Sequence, residues 1–255
     1  MNRTLFSLLG SIVLISSLNT AHADDQLVFA IAQEAYPPFS YKNGHGQWSG
    51  FDPELINALC RQMHSQCSLR EMAWDGLIPA LNSKQVDVVL NSMSITHERK
   101  QVVDFTQPYL QTPALWIAEK GVELVLTPAG LRGKSIGVQA STSHAAYIKA
   151  NYRKESRIRY YNNQDDILAD LRNGRIDVML ADQISVQPML AEPDNSGLEG
   201  KGLAPSDPLF GEGIGIAVRK GNDDLREHLN QALDVLNSEG RIAALRGRYL
   251  NVPME

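Results

Sequence analysis

The stretch VDVVLNSMSITHER, residues 86–99, joins an apolar strand pattern to a cluster of polar side chains. Its valines and leucine, interrupted only by Asp87, are typical of a strand covered on both faces in an α/β sheet. Amide and hydroxyl groups follow at Asn91, Ser92, Ser94 and Thr96. Open α/β sheets bind their ligands at the carboxyl ends of their strands, so this polar segment is a candidate site.

Arg99 ends this stretch about one helical turn after Thr96, which we predict to be a helix N-cap. A planar guanidinium binds a carboxylate through two parallel hydrogen bonds. The alternative is a surface arginine on an ordinary helix. The neighbouring polar groups favour the carboxylate site.

Length and composition describe an ordinary globular chain. It has 255 residues, of which 43% are hydrophobic and 21% are charged, enough for one large or two smaller cores. The net charge of −5 and the absence of a Lys and Arg cluster argue against nucleic-acid binding.

Residues 1–23 have the pattern of a secretory signal peptide. Arg3 precedes an apolar run over residues 5–18, and Ala21-His22-Ala23 forms an A-x-A cleavage site. We therefore expect an exported, soluble protein that begins at Asp24. An uncleaved anchor is the alternative, but the apolar run is short for a bilayer span. No later segment predicts membrane insertion.

Cys60 and Cys67 are the chain's two cysteines. Export to an oxidising compartment favours a disulfide, which would pin a helix to the strand that follows it. The chain-entropy model gives so short a loop about 2 to 3 kcal/mol of stabilisation. Two free thiols are the alternative, and the C-x6-C spacing is not by itself a metal signature.

The order of predicted elements indicates a doubly wound α/β fold in two halves, residues 24–110 and 114–205. Apolar strands are predicted at residues 27–31, 68–72, 86–90, 115–118, 136–138, 158–161 and 176–180. A helix is predicted over residues 53–63, with Asp52 as its cap. Ligands favour the cleft between two such halves.

Other predicted loops offer further candidates, each with a structural alternative. Two prolines hold Tyr36 in an extended turn. Trp74 sits on a turn, where core packing is the alternative role. Three hydroxyl residues, 141–143, precede a helix and favour an anion, or simply cap that helix. Asp182 follows a strand and could also be a helix cap.

The motifs of the chain together resemble the periplasmic amino-acid-binding proteins of ABC importers, in the group that binds lysine, arginine, ornithine, histidine and opines. The motifs are AYPPF, GFDPELINALC, AWDGLIPAL, NSMSITHER, VDFTQPY, GVQASTSHAAY, NGRIDVMLAD and FGEGIGIAVRKG. The resemblance implies a type II periplasmic-binding-protein fold, in which two lobes close over a ligand. Its lobes would be residues 24–110 with 214–255, and residues 114–205, joined by hinge crossings at 111–113 and 206–213.

The resemblance also implies a role for each candidate residue. Arg99 would bind the ligand carboxylate, and Asp182 would accept from its α-ammonium group. Tyr36 and Trp74 would enclose the ligand side chain. The supporting polar groups would be Asn91, Ser92, Ser94, Ser143 and His144, and the cysteine pair matches the group's disulfide.

Two positions depart from the family pattern. Gln33 stands where many basic-amino-acid binders have an Asp or Glu for the distal cation, with Glu34 beside it. A neutral amide can hydrogen-bond a guanidinium but cannot neutralise a buried ammonium, which argues against a preference for lysine. Ser141 replaces a family glycine, and Gln139 is a further candidate contact.

The resemblance therefore implies a monomeric binding protein that delivers an amino acid to a membrane ABC permease, with no cofactor or metal. An exported dehydratase acting on prephenate or arogenate is the alternative on the same fold. The chain has no nucleophile elbow, H-E-x-x-H zinc site or phosphate loop, which disfavours an enzyme.

Overall fold

Two five-stranded sheets form the centres of two lobes in the computed structural model, which describes residues 26–250. The predicted signal peptide and its cleavage site lie outside the described residues. No helix in the described part of the chain is long and apolar enough to cross a membrane.

The first part of the chain builds most of lobe 1. Its elements are β1 (Leu27–Ala32), β2 (Tyr41–Lys42), β3 (Trp48–Ser49), α1 (Phe51–Gln62), β4 (Cys67–Met72), α2 (Leu77–Asn82), β5 (Val88–Val89), α3 (His97–Lys100) and β6 (Val103–Phe105). A 3-10 turn at Trp74–Gly76 leads into α2.

The chain then crosses to lobe 2, which contains β7 (Ala114–Glu119), β8 (Ser135–Gln139), α4 (Ser143–Asn151), β9 (Arg157–Tyr161), α5 (Gln164–Arg172), β10 (Val178–Asp182), α6 (Gln183–Leu190) and β11 (Leu198–Leu203). It returns to lobe 1 as β12 (Ala217–Arg219), α7 (Asp223–Ser238) and α8 (Arg241–Tyr249). Short 3-10 turns lie at Pro193–Asn195 and Pro208–Phe210.

The strand orders are β4-β1-β5-β12-β6 in lobe 1 and β11-β7-β10-β8-β9 in lobe 2. In lobe 1, β1 runs parallel to β4 and β5, whereas β12 is antiparallel to β5 and β6. Buried apolar side chains cover both faces of each sheet. This arrangement confirms the predicted doubly wound α/β fold.

Lobe 1 also contains the predicted disulfide. Cys60 lies near the end of α1 and Cys67 begins β4, and their sulfur atoms are bonded with the two Cα atoms 6.2 Å apart. The bond therefore joins the helix to the following strand, and the alternative of two free thiols is wrong.

The two central strands are displaced from their predicted limits because an aspartate precedes each of them. Only Val88–Val89 forms β5, since the Asp87 carboxylate accepts the Val28 backbone N–H at 3.1 Å. Asp177 likewise accepts the Ser135 backbone N–H at 2.7 Å and stands before β10, which extends to Asp182. Each carboxylate bond thus stands beside a backbone bond from the same aspartate, whose N–H donates to the Val28 or the Ser135 carbonyl at 2.9 Å.

The predicted cap of α1 is also wrong. The helix begins at Phe51, and Gly50 is its N-cap, with φ of +114°. A Cβ on residue 50 would lie only 2.4 Å from the Phe39 carbonyl oxygen, so the close approach of these two backbones requires glycine. Asp52 consequently lies inside the first turn of the helix, where it is fully buried.

Candidate functional site

A polar cleft separates the two lobes and collects most of the predicted site residues. All of the predicted ligand contacts except Gln33 line it, namely Tyr36, Trp74, Asn91, Ser92, Ser94, Arg99, Gln139, Ser143, His144 and Asp182. Thr142, one of the three hydroxyl residues proposed from the sequence, lines the cleft as well. The sequence interpretation missed Ala32, Glu34, Ala35, Asn163, Gln164 and Leu180, which also line it.

Asp182 ends β10 and occupies the N-cap position of α6, but its side chain makes no capping hydrogen bond. Its carboxylate instead accepts hydrogen bonds from the hydroxyl groups of Tyr36 and Thr112. Tyr36 belongs to lobe 1, and Thr112 lies in the segment that crosses between the lobes. The side chain therefore faces the junction of the lobes, and a capping role does not explain it.

The groups around Asp182 are neutral. Burial and the Asp182 charge raise the pKa of Tyr36 well above its ordinary value, so its hydroxyl stays protonated and donates. Burial, reinforced by the charge of Arg99, lowers the pKa of His144 although Asp182 acts in the opposite direction. His144 Nε2 lies 3.6 Å from the Asp182 carboxylate, and a neutral ring makes this a polar contact instead of an ion pair.

Arg99 lies on the lobe 1 side of the cleft and faces lobe 2, which carries Asp182. The predicted N-cap is confirmed, because the Thr96 hydroxyl oxygen accepts the Arg99 backbone N–H at 3.3 Å. The guanidinium donates to the Ser94 carbonyl and, across the cleft, to the Ser141 carbonyl, both at 2.9 Å. It also lies 5.3 Å above the Trp74 ring, a cation–π distance. Burial lowers the pKa of Arg99 to about 10, so it remains charged at neutral pH.

The polar turn after β5 is held from within lobe 1. Asn91 accepts the Ala32 backbone N–H through Oδ1 at 2.8 Å. The Ser92 hydroxyl lies 2.9 and 3.1 Å from the two carboxylate oxygens of Asp52. Burial raises the pKa of Asp52 from 3.8 to about 7, although the Ser92 hydrogen bond acts to lower it. The buried Asp52 therefore supports the floor of the cleft.

The hydroxyl turn before α4 is the corresponding part of lobe 2. Thr142 is the N-cap, since its hydroxyl donates to the Gln139 carbonyl at 2.7 Å and accepts the Ala145 backbone N–H at 3.1 Å. Ser143 approaches Ser94 of lobe 1, with the two hydroxyl oxygens 3.3 Å apart. Ser141 has φ of +60°, a left-handed conformation that favours glycine. The three hydroxyl residues thus divide between capping and contact with lobe 1.

Trp74 reaches the same turn from lobe 1. Its ring packs against the core beside α2, and its indole Nε1–H donates to the Ser141 carbonyl at 3.2 Å. The Ser141 carbonyl therefore accepts from both Trp74 and Arg99. Core packing and cleft contact, posed as alternatives from the sequence, are combined in this side chain.

Gln33 is not brought to the cleft. Its side chain is exposed, whereas its neighbours Ala32, Glu34 and Ala35 line the cleft. Gln33 is therefore not among the residues that line the cleft, and its contact with a ligand stays a prediction. β1 is buried on both faces over residues 29–32, so no alternation in the sequence points to Glu34.

Two lobes around a cleft that carries an arginine on one side and an aspartate on the other define the class of type II periplasmic binding proteins. Residues 27–252 match the bacterial extracellular solute-binding proteins, family 3. The chain belongs to this family.

Individual relatives agree with that assignment. The L-arginine-binding protein of Pseudomonas aeruginosa is 39% identical over 253 residues, which cover 96% of each chain. The structure of an ancestral arginine-binding protein bound to arginine superposes with a TM-score of 0.81 at 31% identity, covering 88% of this chain and 97% of the other. An ancestral amino acid-binding protein described as a precursor of cyclohexadienyl dehydratase has a TM-score of 0.76 at 26% identity, covering 88% of this chain and 95% of the other.

Proposed function

We propose that this protein captures an L-amino acid with a cationic side chain, arginine or ornithine, and delivers it to a membrane ABC permease. The observation that carries the proposal is the pair formed by Arg99 and Asp182, a fixed cation and a fixed anion on opposite lobes of one cleft. The α-carboxylate and α-ammonium groups of an amino acid have the complementary charges. The names of the arginine-binding relatives support the choice of side chain.

The lobes close over the ligand by bending at residues 111–113 and 206–213. Lobe 1 comprises residues 24–110 and 214–255, and lobe 2 comprises residues 114–205. A ligand shifts an open–closed equilibrium only if it binds the closed state better. Arg99 and Asp182 come from different lobes, so a single small ligand contacts both only when the lobes meet.

Export to the periplasm is part of the same proposal. The predicted signal peptide is removed after Ala23, and periplasmic relatives and the disulfide support an oxidising compartment. The mature protein acts as a monomer.

Isothermal titration calorimetry against arginine, ornithine, lysine, histidine and opines tests the proposal. We expect saturable binding with one site, and arginine or ornithine among the tightest ligands. Small-angle scattering at saturation should show a smaller radius of gyration than without ligand. If none of these compounds binds, the proposal fails, and an unchanged radius at saturation contradicts closure alone.

A dehydratase is the competing function on this fold, and the dehydratase-precursor structure is the observation in its favour. The arginine–aspartate pair fits a zwitterionic ligand better than the dicarboxylate prephenate, and arogenate, although zwitterionic, brings a second carboxylate to a cleft that already holds Glu34 and Asp182. We therefore expect no turnover when the purified protein is incubated with prephenate or arogenate and the product is followed by absorbance.

A further inference from the structure

Glu34 is a second carboxylate in the cleft, and its partners are incomplete. Its Oε2 accepts the Trp74 backbone N–H at 3.2 Å. Its Oε1 lies 3.5 Å from the Gln33 side-chain amide, at the limit of a hydrogen bond. No lysine, arginine or histidine among residues 26–250 pairs with Glu34. One carboxylate oxygen is therefore available to a ligand.

The charges that line the cleft leave a negative excess. They are the carboxylates of Glu34 and Asp182 and the guanidinium of Arg99, while His144 is neutral. A zwitterionic amino acid matches Arg99 with its carboxylate and Asp182 with its ammonium group. The charge of Glu34 then remains, and a ligand with one additional positive charge neutralises it.

Glu34 is also held in position. Its hydrogen bond to the Trp74 backbone ties the loop after β1 to the turn that carries the indole ring. The indole in turn donates to the Ser141 carbonyl of lobe 2. A carboxylate fixed beside an aromatic ring at the lobe junction suits an alkyl chain that ends in a cation.

We propose that Glu34, and not Gln33, is the residue that selects a ligand with a cationic side chain. The inference rests on the proposed function and adds the residue that determines specificity. It also changes the expected order of ligands, because a full carboxylate serves an ammonium as well as a guanidinium. Lysine is then no longer excluded by the neutral amide of Gln33.

Arginine and citrulline provide the test, because citrulline has a neutral ureido group in place of the guanidinium. A hydrogen bond to a charged group is worth about 1.5 to 3 kcal/mol, which corresponds to about 10- to 150-fold in affinity. We expect the wild-type protein to bind arginine more tightly than citrulline by a factor in this range. This comparison requires no variant.

Glu34→Gln is the matched variant, since its side-chain oxygen still accepts the Trp74 backbone N–H. We expect calorimetry to show a loss of about 10- to 150-fold in arginine affinity, with citrulline affinity changed less than about threefold. Gln33→Ala is the control, and it should leave the arginine-to-citrulline ratio within about twofold of wild type. Thermal melting confirms that both variants are folded.

Three results would overturn the inference. Glu34→Gln could weaken both ligands equally, Gln33→Ala could change the ratio, or the wild-type protein could bind the two ligands alike. In the first two cases the wild-type protein still prefers the cationic ligand, so the proposed function survives. In the third case amino-acid binding stands, but the proposed choice of a cationic side chain fails together with the inference. If the wild-type protein binds no amino acid, the proposed function fails and this inference fails with it.

Discussion

The central strands β5 and β10 are built alike but end in opposite charges. Asp87 and Asp177 each precede the strand and accept a backbone N–H from the neighbouring parallel strand. Beyond β5 the chain supplies amide and hydroxyl groups and then Arg99, whereas β10 ends in Asp182. The two lobes thus share a scaffold, and the few residues after each central strand create a cleft with a cation facing an anion.

The way these end segments are held differs between the lobes. Asn91 and Ser92, at the start of the turn after β5, make their hydrogen bonds within lobe 1, to Ala32 and Asp52. Further along, Ser94 and Arg99 also contact Ser143 and Ser141 of lobe 2. Asp182 instead accepts from Tyr36 of lobe 1 and from Thr112 of the crossing segment. The start of the turn on the cationic side is therefore held by lobe 1 alone, whereas the Arg99 guanidinium and the Asp182 carboxylate each have a partner from the other lobe.

Removing the cation should have the largest effect. Arg99→Ala leaves a bound carboxylate without its partner, and we expect at least about a 100-fold loss of arginine affinity, measured by calorimetry. Asp182→Asn is the comparison on the other lobe. It keeps an oxygen acceptor for Tyr36, so its loss should be smaller. If Arg99→Ala loses less than about tenfold, the carboxylate binds elsewhere.

Asp52, the buried carboxylate that supports the lobe 1 turn, should make the stability of the protein depend on pH. The pKa of Asp52 is about 7 in the folded protein and 3.8 ordinarily, so between these values the native state holds a proton that the unfolded chain lacks. Its contribution to stability is complete below about pH 4 and is lost as the pH rises through 7.

Asp52→Asn should remove this dependence because the amide never ionises. We expect the variant to gain about 2 to 4 kcal/mol relative to wild type between pH 5 and pH 8, measured by urea unfolding at both values. In lobe 2 the buried polar pair below the cleft, Ser185 and Gln164, is neutral. Gln164→Glu should therefore introduce a comparable pH dependence there. If the free energy of unfolding changes equally with pH in wild type and in Asp52→Asn, Asp52 is not the group that causes the pH dependence.

The two scaffold aspartates offer a smaller test. Asp177→Ala leaves the buried Ser135 backbone N–H without an acceptor, at a cost of about 1 to 3 kcal/mol. Asp87→Ala should cost less, because Val28 is only half-buried and Arg219 keeps its hydrogen bond to the Val86 carbonyl. Urea unfolding measures both free energies. If Asp87→Ala costs more than Asp177→Ala, the two aspartates do not play the same structural role in the two lobes.

Particular residues show why the sequence predicts the scaffold better than the cleft. The apolar runs and turns identify the strands. Arg99 and Asp182 could be identified because each lies beyond the end of a predicted strand. Glu34 was missed because it lies in a bend before two prolines, beyond a strand that is buried on both faces and shows no alternation. Asp52 was misplaced because its role depends on the approach of Gly50 to Phe39, residues from a separate loop. Contacts between distant segments leave no periodic signal in the chain.

The smallest expected effect concerns Ser141, whose left-handed φ of +60° disfavours a residue with a Cβ. Its conformation is set within lobe 2, since Thr142 binds both Gln139 and Ala145 across the same turn. Ser141→Gly should therefore stabilise the protein whether or not a ligand is bound. Removing the cost of the left-handed conformation stabilises the folded protein by about 1 to 2 kcal/mol. The greater entropy of glycine in the unfolded chain offsets about 0.5 to 1 kcal/mol of this gain. We expect a small rise in melting temperature with arginine affinity unchanged. A severalfold gain in affinity without a change in melting temperature would show instead that closure imposes this conformation, through the bonds that Trp74 and Arg99 donate to the Ser141 carbonyl.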